Sequence, residues 1–171
     1  VGECGGREVV GMQVSARADY ALRAMVELAA ARVRVSGESE GGTASLTGAE
    51  ISESQGIPRK FLQNILFDLN RAGLAKTQRG AGGGYRLAKE PEKITLADVI
   101  RAVEGPLANV RGEWPEDLSY TGSAEPLAEV WIALRANMRS VLEGVTLRDV
   151  AGGGLPDRIS RLTSDAAAWE H

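Results

Sequence analysis

Residues 47–87, TGAEISESQGIPRKFLQNILFDLNRAGLAKTQRGAGGGYRL, constrain the fold more than any other stretch of the chain. Thr47 carries a hydroxyl suited to cap a helix, and Glu50 stands three residues on, where its carboxylate can return the bond. Ala49 and Ile51 give this helix, over 48–55, a small apolar face. Gln55-Gly56 interrupts it, and glycine accepts the positive φ that a tight helix–helix turn requires. Pro58 suits the first position of the next helix, because the N–H it lacks has no partner there in any case. Phe61, Leu62, Ile65, Leu66 and Leu69 recur at helical spacing and predict the buried stripe of a helix over 58–72. Gly73 predicts its left-handed stop.

The opposite face of that second helix carries Arg59, Lys60, Gln63, Asn64, Asn70 and Arg71. Such donors can reach base edges and phosphates. A ribbon follows: Leu74–Arg79 reads as a short strand, Gly80-Ala81-Gly82-Gly83-Gly84 as its turn, and Tyr85-Arg86-Leu87 as the return strand. An arginine beside a glycine tip, here Arg79, fits a narrow and strongly negative minor groove. The charges agree with this. Between 59 and 89 the cations are Arg59, Lys60, Arg71, Lys76, Arg79, Arg86 and Lys89, and the one acid is Asp68. The whole chain has a formal net charge of −3, so its total conceals the local excess. Helix, turn, helix and basic ribbon in this order predict a winged helix-turn-helix that binds double-stranded DNA.

The 171 residues allow one domain with an appendage. No run of eighteen apolar residues is present, so no membrane span is predicted, and cytoplasm is the expected location. Residues 1–11 read as a flexible N-terminal extension, with Met12 as the expected native start. The chain has a single cysteine, Cys4, and a single histidine, His171. That inventory cannot supply a metal site of His and Cys ligands within one chain, nor a Cys–His or Ser–His–Asp catalytic group. No catalytic residue, metal or cofactor is predicted.

Ser15 predicts the start of a helix over 16–34, with Ala21, Leu22, Met25, Leu28 and Ala29 inward. Residues 37–45 read as a glycine-rich loop. Thr95 and Asp98 predict a capped helix that ends at Gly105-Pro106. Residues 107–123 form an irregular connector, in which Trp114 and Tyr120, together with Trp131 beyond it, are candidate contacts for an unidentified small-molecule or protein effector. The longest helix pattern runs over 124–144. Leu127, Val130, Trp131, Leu134, Met138, Val141 and Leu142, with Val145 continuing the stripe, recur on one face near a 3.5-residue repeat and predict a homodimer interface. Thr146 predicts a short final helix, and residues 152–171 a tail. No internal repeat stands out.

Two runs, SARADYALRAMVELA and GIPRKFLQNILFDLNRAGLAKTQRGAGGGYRLAKEPEKITLADVIRAVEGPL, resemble the Rrf-two family of bacterial winged-helix regulators, over roughly residues 12–151. The resemblance implies a mainly α fold with a small β-hairpin wing. It implies a DNA-binding domain over 12–106, a long C-terminal dimerisation helix within 124–151, and repression at a palindromic operator. It places Pro58, Arg59, Lys60 and Gln63, with Asn64 beside them, at the start of a recognition helix. It places Arg79, Gly82, Gly83 and Tyr85 in the wing. Iron–sulfur members carry three cysteines in the connector, whereas the connector here, LANVRGEWPEDLSYTGSAEP, carries none. The resemblance therefore implies a cluster-free member.

Two other classes compete. A phosphate-binding enzyme would use Gly80–Gly84, but such a loop opens a helix and is followed by Lys-Ser or Lys-Thr, whereas Tyr85-Arg86-Leu87 follows here. A partner-binding adaptor with weak DNA affinity would not need the basic face.

Overall fold

A computed structural model of the chain describes residues 14–38, 44–80 and 82–169. The expected N-terminal extension, Met12, Cys4, His171 and much of the glycine-rich loop lie outside the described residues. The helices are α1 (Ala16–Glu38), α2 (Gly48–Gln55), α3 (Arg59–Arg71), α4 (Leu96–Glu104), α5 (Leu127–Leu142), α6 (Leu147–Gly152) and α7 (Asp157–Thr163). One antiparallel hairpin, β1 (Ala75–Gln78) with β2 (Gly84–Leu87), completes the regular structure.

The core forms around α1, the longest helix of the body. Ala21, Ala24, Met25, Leu28 and Ala29 are buried together with Ile51, Leu62, Ile65, Leu66 and Leu69 of α2 and α3. The small side chains of α1 let neighbouring helices approach closely, and α3, α4 and α6 all pack on it. Ser15 starts α1 as predicted, its Oγ accepting from the Ala18 N–H at 3.0 Å and donating to Glu104 at 2.7 Å. The helix runs to Glu38, a turn beyond the predicted end.

Two expectations for α3 need correction. Pro58 stands just before the helix as its N-cap, not at its first position. Phe61 is not part of the buried stripe. It is 51% exposed and meets the Tyr20 ring edge-on, with centroids 6.4 Å apart. At about 100° per residue, Phe61 lies roughly 90° round the helix from the middle of the stripe set by Leu62, Ile65, Leu66 and Leu69.

The chain after α5 returns to the body. Leu96 N–H donates to Val145 O and Leu147 N–H to Ile94 O, so the starts of α4 and α6 are bridged at Thr95 and Thr146. Both helices open with the same reciprocal cap, Thr95 with Asp98 and Thr146 with Asp149. The segments read TLADV and TLRDV, a short recurrence on either side of α5. Leu147 is fully buried in the main core, so one end of α5 is fixed to the body. The helix itself spans Leu127–Leu142, shorter than the predicted 124–144, because Gly122–Ala124 forms a separate 3-10 turn before it. None of its residues is buried.

Candidate nucleic-acid interface

The turn between α2 and α3 is built as its residues require. Gly56 takes a left-handed conformation with φ 61°, and the Ile57 N–H donates to Ser52 O at 3.0 Å. The Ser52 hydroxyl donates to Ile57 O at 2.6 Å, and the Ile57 side chain is buried. This locks the crossing of the two helices. At the other end of α2, Thr47 Oγ1 accepts from the Glu50 N–H at 3.2 Å, and the Thr47 N–H donates to the Glu50 carboxylate at 2.7 Å. The Thr47 side chain first, and its backbone second, hold the Glu50 carboxyl below its ordinary pKa.

With Leu62, Ile65, Leu66 and Leu69 buried, α3 turns Arg59, Lys60, Gln63 and Asn64 to solvent. Asp68, the one acid of this region, is paired with Arg17 of α1, which also donates to Val103 O at 3.0 Å. Its charge is therefore offset from within the body. Phe67, which sequence reasoning did not single out, is 62% exposed on the same helix. Helical spacing was the available signal: Phe67 stands four residues from both Gln63 and Arg71, on the polar side of the helix.

The hairpin is held beside α3 by backbone bonds. Leu46 N–H donates to Tyr85 O at 2.9 Å, and Tyr85 N–H donates to Leu46 O at 2.7 Å. The Asn70 side chain donates to Ala75 O at 3.3 Å, and the Ser45 hydroxyl donates to Gly82 O. Gly80, Gly82 and Gly83 lie between the two strands and Gly84 begins β2, so these glycines open no helix and the phosphate-loop alternative fails on geometry. A Cβ on Gly83 would lie 2.7 Å from Gln78 O, and one on Gly84 would lie 2.4 Å from Leu46 O. The glycines thus permit both the tight tip and the close approach of the preceding chain. Arg79 and Gly82 are exposed at the tip.

These elements enclose an open cleft of about 340 Å³ lined by Gly48, Ala49, Arg59, Leu62, Gln63, Leu66 and Tyr85. Three sequence-named residues, Arg59, Gln63 and Tyr85, therefore meet around one cleft. Lys60 and Asn64 lie outside its lining on the exposed side of α3, Pro58 is exposed just before that helix, and Arg79, Gly82 and Gly83 lie at the wing tip. Gly48 and Ala49 were not predicted as part of it; the capping box at Thr47 was the signal that α2 begins there.

The connector aromatics do not share a cleft of this kind. The Trp131 indole N–H donates to the Tyr120 hydroxyl at 3.0 Å, while Trp114 faces the Arg135 guanidinium at 5.9 Å from its ring centroid. Arg135 also pairs with Glu116. The Glu116 backbone N–H first, and Arg135 second, keep the Glu116 carboxyl below its ordinary pKa. On α5, Leu127 is 40% and Val130 51% exposed, while Trp131, Leu134, Met138, Val141 and Leu142 are half-buried. At its C-terminal end, Arg101 and then Arg139 hold the Glu143 carboxyl low.

A short helix, a glycine turn, a second helix with a polar outer face and a hairpin docked beside it define a winged helix-turn-helix, the fold of a DNA-binding transcriptional regulator. The chain belongs to the Rrf2 family, whose model, described as an iron-dependent transcriptional regulator, matches residues 14–153. A Mycobacterium tuberculosis protein named as an HTH-type transcriptional regulator, Rv1287, is 46% identical over 159 residues, covering 93% of each chain. The solved structure of CymR, the global cysteine regulator of Bacillus subtilis, superposes with a TM-score of 0.66 at 31% identity, over 83% of this chain and 98% of that one. IscR of T. potens gives 0.64 at 31% identity, over 84% and 88%. The fold is mainly α with a two-stranded wing, as predicted, and the protein is a transcriptional regulator, not an enzyme. Among the described residues no helix is long and apolar enough to cross a membrane.

Proposed function

We propose that this protein binds a palindromic operator as a cytoplasmic homodimer and represses transcription without an iron–sulfur cluster. The observation that carries the reading is the convergence of Arg59, Gln63 and Tyr85 on one open cleft, with Arg79 exposed at the adjoining tip. In this reading the DNA-binding unit spans 12–106. The start of α3, with Pro58, Arg59, Lys60, Gln63 and Asn64, lies in the major groove. The wing, with Arg79, Gly82, Gly83 and Tyr85, lies in the neighbouring minor groove. The region 124–151 supplies the dimer contact through Leu127, Val130, Trp131, Leu134, Met138, Val141 and Leu142. An α5 with no buried residue supports that assignment.

The family description is iron-dependent, but a thiolate-held cluster does not fit this connector. It has neither cysteine nor histidine, and its Glu116 is already paired with Arg135. The signal is instead a small molecule or protein acting at the connector 107–123, with Trp114, Tyr120 and Trp131 as its candidate contacts. The test is to recover genomic fragments on the purified protein, sequence them, and titrate one palindromic duplex against salt. Affinity falls steeply with salt, and Arg79→Ala weakens binding without lowering thermal stability. Salt-independent binding refutes the electrostatic basis of the reading.

A further inference from the structure

The outer face of the wing carries two cations that have no ion-pair partner among the described residues. Antiparallel pairing sets Lys76 directly opposite Arg86, and Gln78 opposite Gly84. Side chains alternate along a strand, so Lys76, Gln78 and Arg86 share the face turned away from the buried Ala75 and Leu87. Like charges directly opposite one another across a ladder repel. Among the described residues neither cation has an ion-pair partner, and the acids nearest to them in sequence, Asp68 and Glu90, are paired with Arg17 and Arg32. Arg86 is worse placed still: its Nε is shut off from solvent and has no hydrogen-bond acceptor. A buried donor without an acceptor is a standing cost to the fold.

We infer that Lys76 and Arg86 form one anchor for a single backbone phosphate, on the groove wall that faces away from α3. The inference rests on the DNA-binding reading above and extends it to residues that reading does not use. Tyr85, one residue before Arg86, lines the cleft with Arg59 and Gln63 on the inner face of the hairpin. A hairpin in a groove about 6 Å wide meets phosphates on both sides, so its outer face needs cations of its own. No polar partner holds Arg86 Nε where it stands. A turn of the side chain that uncovers Nε breaks no hydrogen bond there, and it lets the guanidinium present Nε–H and a terminal N–H together to one phosphate, which satisfies the orphan donor. The same phosphate removes the repulsion between the two cations.

The test compares the parent protein with Lys76→Gln/Arg86→Gln and with the charge-keeping exchange Lys76→Arg/Arg86→Lys, on one operator duplex across a salt series. One phosphate accounts for about 0.9 of the slope of log affinity against log salt. A dimer brings two wings to the duplex, so the glutamine pair loses about 1.8, with no fall in melting temperature, and the exchanged pair keeps the parent slope. A loss of about 3.6 assigns two separate phosphates to each wing and overturns the shared anchor. An unchanged slope in the glutamine pair overturns the site altogether. Failure of the parent protein to bind any duplex is a different result, and sinks the DNA-binding reading itself.

Discussion

Gly84→Ala tests whether the wing is held by the segment before α2 or stands alone. A Cβ at this position would lie 2.4 Å from Leu46 O, 2.6 Å from Leu46 C and 3.0 Å from Thr47 N, all backbone atoms that cannot swing aside. The substitution therefore opens the bridge of two hydrogen bonds between Leu46 and Tyr85, at 2.9 and 2.7 Å. At about 1 kcal/mol net for each bond, the loss is roughly 2 kcal/mol. In a chain of this length that corresponds to a fall in melting temperature of about 4–8 °C. The operator complex needs the wing beside α3, so the same free energy reappears in binding as about 30-fold weaker affinity. Gly48→Ala is the control for the bridge in unfolding and amide exchange, though not in binding because Gly48 lines the cleft: its Cβ meets only Tyr85 Cε2 at an ordinary 3.9 Å. It keeps the bridge, and its helix propensity favours α2. The assays are thermal unfolding, amide exchange at Leu46 and Tyr85, and duplex binding by anisotropy. Slow exchange at both amides in Gly84→Ala, with parental affinity, refutes the reasoning.

Thr47→Ala removes the cap of α2 and lowers stability by about 1 kcal/mol at neutral pH. Because Thr47 holds the Glu50 carboxyl below its ordinary pKa, the stability from that carboxylate is present above the ordinary range and lost as pH falls through the depressed value. Thermal unfolding from pH 7 towards pH 3 therefore shows the gap between parent and Thr47→Ala narrowing; a gap that widens on acidification contradicts the capping geometry. Val130→Asp places a charge on the exposed apolar side of α5 and shifts sedimentation from dimer towards monomer while the melting curve of the body persists. An unchanged sedimentation coefficient removes α5 from the dimer contact.

The parts of the fold that were legible in advance are those fixed by local chemistry. The α2 cap needs only Thr47 and Glu50, and the turn needs only Gly56. The hairpin needs two short strands and a tip that tolerates glycine backbone angles, and these were predicted close to their observed limits. What was misread depends on neighbours distant in sequence. Phe61 has the right residue type for the stripe of α3, but its angular position brings it to Tyr20 at the surface, and periodicity read by eye does not resolve the edge of a stripe. The bridge between Thr95 and Thr146 joins residues on either side of α5, so its two matching caps gain meaning only when the chain returns.

The same distinction explains how much of the site could be read. Arg59 and Gln63 lie four residues apart on one helix, so helical spacing alone puts them on one face. Tyr85 joins them only because Leu46 pairs with it, and Leu46 carries no motif of its own. The outer face of the wing went unread for a related reason. Lys76 and Arg86 entered the sequence argument as two of seven cations, a sum that carries no direction. Register turns the sum into a pair: displaced by one residue, Lys76 would face the core with Leu87, and no anion site would exist there. That register is fixed at one end by Leu74 O, which accepts from the Ala88 N–H at 2.9 Å, and at the other by the Leu46 bridge to Tyr85. The Leu46 bridge thus bears on both faces of the wing. It draws Tyr85 to Arg59 on the inner side, and on the outer side it helps hold Arg86 opposite Lys76. Opening it by Gly84→Ala should therefore disturb more than one set of phosphate contacts, and the salt slope should fall together with the affinity.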